Sequence, residues 1–420
     1  MASTASNFVT DTLDSIYPKA IYKVIVNGVN LAEVLHTRLL RMTITDNRGI
    51  EADTVEIELI DHDGRLGIPP KGAVIEVWIG WSSEGLVYKG KYTIKEREYG
   101  GTPDIITLRG ASADLKSIFK KKKERSFDQK TIADIIGSIA TEHSLKSLIH
   151  ETLGEIMLAH IDQNESDANL ITRIADEHDA IATVKNGYLM FMPKGDGKTA
   201  TGQDLPEFFI TRDKGDSHHW SDTDGADEVS GVTVYYYDND KAKRQKVTIG
   251  MSDENTRELR NIQRDKQTAE HVAQAEYNRI KSKSATMSYN LAYGKPDLIP
   301  EMQMQFIGLK DIIDDIVWIG NKVTHTLSAD SGFTTSIDLE IYLPDSDNLS
   351  ELIDNETGNY TGILAFYKDG KKTGTVTQGE QTTPKRLTYL YKNKKTATTA
   401  ATREYKAMQA EKEQSQSENK

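Results

Sequence analysis

The chain has 420 residues, no cysteine, and a formal net charge of −12 from 52 basic and 64 acidic side chains. The length suits about two to four domains, and the missing cysteines exclude disulfides, thiolate zinc sites and cysteine nucleophiles. With no large basic block in the first 380 residues beyond Lys120 to Lys123, nucleic acid is excluded as the main partner, because such binding needs concentrated positive charge. No apolar run is long enough to span a bilayer, and MASTASNFVTDTLDS lacks the regions of a signal peptide, so synthesis and assembly in a cytoplasm are expected.

After an N-terminal arm at 1–19, residues 20–112 alternate apolar and polar side chains. In TVEIELID, Val55, Ile57 and Leu59 share one side, and in AVIEVWIGW so do Ala73, Ile75, Val77 and Ile79. Period-two patterning between turns such as DHDG and IPPKG predicts half-buried antiparallel strands in a small barrel or sandwich. From Thr131, the expected N-cap, the period becomes helical through Ile132, Ile135, Ile136, Ile139 and Ala140. A second helix is predicted from Ser166 with Leu170, Ile171, Ile174 and Ala175 inward, followed by a hairpin at Lys185-Asn186-Gly187, so 113–194 reads as an α/β module.

Residues 195–345 read as a second barrel carrying a helix at 256–281. The stretch from Ile299 repeats the order of elements from Ile68: a proline, a strand ending at Ile79-Gly80 or Ile307-Gly308, a polar turn, then a strand through Gly90 or Gly320. Duplication of one barrel is the expected origin. A further repeat aligns ELRNIQRDKQTAEHVAQAEY with RLTYLYKNKKTATTAATREY, pairing Leu259 with Leu387, Ala273 with Ala401 and Tyr277 with Tyr405. The region 346–420 is therefore expected to be a polar linker, 346–383, and a helical tail whose last residues, 411–420, are disordered. The fold class expected is α+β, mainly antiparallel β, with two similar barrels, an inserted α/β module and a helical C-terminal tail.

Several segments invite a chemical reading. HIDQNESDAN places His160, Asp162, Glu165, Ser166, Asp167 and Asn169 together, but no two histidines stand four apart on a helix face, as a zincin would need. Ser166, Asp167 and Asn169 fit a capped helix start instead. His218-His219 adjoins Asp213, Asp216, Asp222, Asp224 and Asp227, yet neighbouring strand residues point to opposite faces and rarely share an ion. GDGKT at Gly195 lacks the first glycine of a phosphate loop, and DHDG at Asp61 lacks the later ligands of a calcium loop. The run KKKKER, Lys120 to Arg125, reads as a solvated loop or strand end. No catalytic, cofactor or metal site is expected.

HIDQNESDANLITRIADEHDAIATVKNGYLMFMP, GAVIEVWIGW, GKYTIKERE, KPDLIPEM, VTHTLSADSGFTTSIDLE and the GD-x-H element at Gly215 occur in one order over about 20 to 341. In this the chain resembles the phage late control D protein family, which is similar to the central hub of contractile tail baseplates and to the hub portion of type VI secretion spikes. The resemblance implies a homotrimeric structural protein of the virion baseplate, without enzymatic activity or cofactor. Two tube-like barrels per chain would give about six in a ring, matching a six-fold tail tube on one face and a trimeric spike on the other. Implied partners are other copies of itself, the trimeric spike, the tube protein and the baseplate wedges, with no direct nucleic-acid recognition and no stable membrane insertion. His160, Asp162, Glu165, Ser166, Asp167 and Asn169 would then form a rigid connector, and Gly80, Gly90, Gly308 and Gly320 would mark the repeated strands. The alternatives are the hub of a non-phage contractile injection particle, a tail-associated cell-wall hydrolase using Glu165, His218 or His219, and a host-surface binding module using Trp220 and Tyr235 to Tyr237.

Overall fold

The computed structural model describes residues 18–31, 35–112, 119, 121–185, 187–195, 197, 203, 205–222, 229–238, 241–250 and 255–343, and in the tail 362–369, 372–380, 384–391, 394–399, 401–403, 405–406 and 409. The expected arm before residue 18, Lys120 and the final 411–420 lie outside these residues.

The alternating strands of the first lobe pair antiparallel in the order Leu39–Asn47, Thr54–Ile60, Ile105–Ala111, Gly85–Gly100, Val74–Trp81, Ala20–Val26. Every second residue turns inward, and Val24, Ile44, Ile57, Val77, Tyr92 and Leu108 meet in one core. The sheet curls around that core without closing into a hydrogen-bonded barrel, so the barrel or sandwich expected for this lobe is an open, curled antiparallel sheet. The reason is at its edge: the strand Leu39–Asn47 is already paired with Trp318–Ser328 of the second lobe, so it cannot also pair with Ala20–Val26.

The second lobe has the same strand order: Gly215–Asp222, Ala285–Leu291, Gly332–Ile341, Trp318–Ser328, Gln303–Ile307, Phe208–Thr211. Its final pair is parallel where that of the first lobe is antiparallel. In the other pairs the registers coincide residue for residue. Thr93 pairs with Val74 and Ala111, and Ile319 with Gln303 and Glu340. A bulge follows at Lys95 in one lobe and at Asn321 in the other. Outward along the sheet, Val55, Ile57 and Leu59 match Met287, Tyr289 and Leu291, all buried. Met42 and Ile44 match His218 and Trp220, and the bulges at Leu40 and Asp216 coincide. β-bulges re-aim a strand at a fixed position, so their coincidence extends the internal repeat beyond the order of elements. It also corrects the sequence alignment: Ile307 stands opposite Trp78 and not Ile79, and Gly320 opposite Ile94 and not Gly90.

Between the lobes, strands Lys122–Thr131 and Met157–Ser166 pair antiparallel. Helices Ile132–Glu142 and Asp167–Glu177 pack their aliphatic stripes, Ile135, Ile139, Leu170 and Ile174 among them, on the sheet Lys146–Ile149, Tyr188–Pro193, Ala180–Lys185. A second inserted unit has strands Gly231–Asp238, Lys243–Gly250 and Thr256–Gln263 with helix Lys266–Lys281. The helix expected at 256–281 is thus a strand followed by a shorter helix. Asp265 sets the start, its side chain accepting from Thr268 N at 2.8 Å.

The tail repeats this whole unit and not only its helix. Strands Gly362–Asp369, Lys372–Gly379 and Pro384–Tyr391 precede helical residues from 394, so the expected linker 346–383 contains two strands. In both copies the first strand pairs antiparallel with the second, Gly231↔Gly250 and Gly362↔Gly379, and parallel with the third across a register shift. Val232, Val234, Ala269 and Ala273 form one core; Ile363, Ala365, Ala397 and Ala401 form the other.

Candidate functional site

The segment His160 to Asn169 joins strand Met157–Ser166 to helix Asp167–Glu177. Ser166 Oγ accepts from Asn169 N at 3.2 Å and so caps the helix. Glu165 accepts from Arg173 Nε at 2.9 Å, one turn and more along the same helix. His160 stands exposed on the strand, 2.5 Å from Asp128 Oδ1 and 3.1 Å from Asp162 Oδ1, and those carboxylates hold its imidazole above its ordinary value.

Asp167 is fully buried. Its carboxylate receives Lys123 Nζ at 2.5 Å, Arg125 Nη2 at 3.0 Å, His143 Nε2 at 2.7 Å and Gln163 Nε2 at 2.8 Å. Lys123 and Arg125 also pair with Glu142. Burial alone would raise the Asp167 pKa; the bonds from His143, Lys123 and Gln163 outweigh it and hold the carboxyl below its usual range. Glu142, His143 and Asp167 lie close enough to hold a metal ion, but the two carboxylates already face two cations, so a divalent ion would add uncompensated charge. This is an ionic knot tying the hairpin to both helices. The basic run is accordingly not only solvated, because Lys123 and Arg125 turn inward to meet Asp167.

His218 and His219 sit on strand Gly215–Asp222 opposite Tyr289 and Ser288, on alternate faces. His218 stacks on Tyr289 with ring centroids 6.1 Å apart, and its Nε2 is 3.4 Å from Arg212 Nη1. The two imidazoles therefore do not converge. Asp224 and Asp227 lie outside the described residues. Gly80 is required where it stands, because a Cβ there would lie 1.9 Å from the Gly85 carbonyl oxygen. Gly308 has φ +89°, a left-handed conformation that favours glycine. Gly90 has φ +136°, and Gly320 lies beside Met304.

Two buried charge clusters at the joint of the lobes escaped the sequence reading. Lys89 Nζ lies 2.7 Å from Asp46 Oδ2 and 3.2 Å from the Pro296 carbonyl, and His325 packs beside Asp46. Burial pushes His325 well below its ordinary pKa, so it is neutral. Its Nε2 then donates to the Leu298 carbonyl at 3.3 Å and its Nδ1 accepts from Thr335 Oγ1 at 2.9 Å. In the second cluster Arg48 pairs with Glu301 and with Glu340, 2.5 Å away, while Lys194 reaches Glu340 at 2.7 Å. Arg48 also donates to the Gly320 carbonyl at 3.1 Å. First lobe, α/β module and second lobe meet there.

The geometry thus offers rigid joints and strand edges. The sequence pattern of the family described as phage tail baseplate hub (GPD) matches residues 55–331. The probable baseplate hub protein of Escherichia phage P2 is 35% identical over 365 residues, covering 77% of this chain and 94% of the relative. That of Escherichia phage 186 is 34% identical over 363 residues, covering 76% and 92%. The chain belongs to the phage tail baseplate hub (GPD) family. It is a structural protein of the virion tail and not an enzyme. The hub also shares its fold with the 43 kDa tail protein of prophage MuSo2 from Shewanella oneidensis, at 14% identity and a TM-score of 0.56 over 76% of this chain and 98% of that one. The tail unit from Gly362 lies beyond the residues matched by the family pattern.

Proposed function

We propose that the hub works as a trimeric symmetry adaptor, joining the six-fold tail tube to the three-fold spike of a contractile tail. The observation that carries this reading is the equivalence of the two lobes in strand order, register and bulge position. A closed ring of three chains, the common form of assembly by identical subunits, presents two sets of three near-equivalent lobes. Such a ring offers near six-fold contacts to a tube on one face while its covalent connections stay three-fold. The lobes correspond to residues 20–112 and 195–345, and the α/β module 113–194 lies outside the ring as a stiff connector facing the wedge proteins.

The work of this protein is done by strand edges and fixed joints. The ionic knot around Asp167 holds the connector as one body, and the Arg48 and Lys89 clusters lock the lobes to one another. Both suit a part that transmits force between tube and spike. Assembly precedes release of the particle and takes place in the host cytoplasm. End-on images of the hub bound to its spike protein test the reading: six similar densities in three-fold arrangement are expected, and two, four or five would overturn it.

A further inference from the structure

The joint between the lobes has a counterpart that no strand fills among the described residues. Within the chain, Lys322 to Ser328 pairs antiparallel with Arg41 to Asn47, from Lys322↔Asn47 to Ser328↔Arg41. The common register converts each side of this joint into its equivalent in the other lobe. Glu96, Arg97, Glu98, Tyr99 and Gly100 stand where Lys322, Val323, Thr324, His325 and Thr326 do. Ser217 to Asp222 stand where Arg41 to Asp46 do.

Both equivalent edges are unpaired among the described residues. Strand Gly85–Gly100 pairs with Val74–Trp81 as far as Thr93, and Ile94 still bonds Ala73 and Gly72 on that side; from Glu96 to Gly100 the strand pairs only with Ile105–Ala111 on its other side. Strand Gly215–Asp222 ends the sheet. Burial shows what is missing. Val323 and His325 are 0% exposed at the internal joint, whereas their counterparts Arg97 and Tyr99 are exposed, Tyr99 by 55%. Trp220, the counterpart of Ile44, buries an indole N–H with no acceptor among the described residues.

We propose that, granted the three-fold ring, a second copy of this chain completes the joint by laying its Ser217–Asp222 edge antiparallel on the Glu96–Gly100 edge. The register sets Arg97 against Asp222, Glu98 against Ser221, Tyr99 against Trp220 and Gly100 against His219. Opposite charges meet at the first pair and aromatic rings at the third, both favourable directly across a sheet. Arg97 is available because, among the described residues, its side chain makes one bond, to the Pro69 carbonyl at 3.0 Å, which engages a single Nη. The contact is head-to-tail, the kind that generates a ring when its rotation closes. It also covers two edges that would otherwise invite uncontrolled pairing.

The absence of native cysteine allows a direct test on the full chain. Glu98→Cys with Ser221→Cys, oxidised, should give covalent species ending at three chains on a non-reducing gel. Glu98→Cys with His219→Cys, two residues out of register on the same strand face, should cross-link about tenfold less. Arg97→Asp should raise the concentration at which half the chains are trimeric about tenfold, and adding Asp222→Arg should restore it. A trimeric wild type whose matched pair fails to cross-link, or cross-links no better than the shifted pair, overturns this joint and leaves the ring intact. So does an Arg97→Asp chain that assembles like wild type. A wild type that stays monomeric with and without the spike protein overturns both.

Discussion

Lys89 Nζ and Asp46 Oδ2 lie 2.7 Å apart with 3% and 5% of their side chains exposed, an ion pair sealed between the lobes. Such a pair is worth little against a well-packed apolar replacement, but breaking it from one side leaves a buried charge alone. Lys89→Met should therefore cost about 3 to 5 kcal/mol. Combining it with Asp46→Asn should recover more than half of the loss. Urea unfolding of both variants measures this, and equal stability of the single and double variants would contradict it.

Asp167→Ala should destabilise the α/β module by about 1.5 to 3 kcal/mol, since it removes the buried acceptor shared by Lys123, Arg125 and Gln163 and leaves the two cations with Glu142 alone. Adding millimolar zinc or magnesium to the wild type, or removing metal with EDTA, should leave the melting temperature unchanged. A metal-dependent rise would show that the Glu142, His143, Asp167 group binds an ion and that the cations yield to it.

His178, at the end of helix Asp167–Glu177, is pushed down to about 4 by burial and, secondarily, by His271. The unfolded chain takes up this proton near pH 6.5 and the folded chain only near 4, so the ring destabilises the fold as pH falls through that window. His178→Asn should gain on wild type by about 2 kcal/mol between pH 7 and pH 4, a figure reduced for the partial exposure of the ring. A stability difference independent of pH would contradict the assignment.

Truncation after residue 345 removes the tail unit whole and should leave the melting temperature of the lobes and the assembly state unchanged. Truncation after 383 keeps strands Gly362–Asp369 and Lys372–Gly379 but removes Ala397 and Ala401, which cover Ile363 and Ala365. That chain should aggregate, read as turbidity on concentration, whereas the shorter one should not.

The alternation of TVEIELID and AVIEVWIGW made the curled sheets legible, because period two is the direct signature of a half-buried strand. Duplication was legible in element order but not in register. The bulges at Lys95 and Asn321 and the unequal turns between strands shift the equivalent residues, so aligning prolines and glycines misplaced Gly320. The helix start was misread because TRELRNIQ contains good helix formers, whereas Asp265 three residues before Thr268 was the available signal. The ionic joints had no local signature. Arg48 and Glu340 are 292 residues apart, and nothing near either names the other.

The central claim is that two equivalent lobes per chain build a three-fold ring, and the most direct measurement is the mass of the hub in solution by light scattering, alone and with its spike protein. A trimer, or a monomer that becomes three chains on a trimeric spike, is the predicted result. A chain that remains monomeric in both conditions would contradict it.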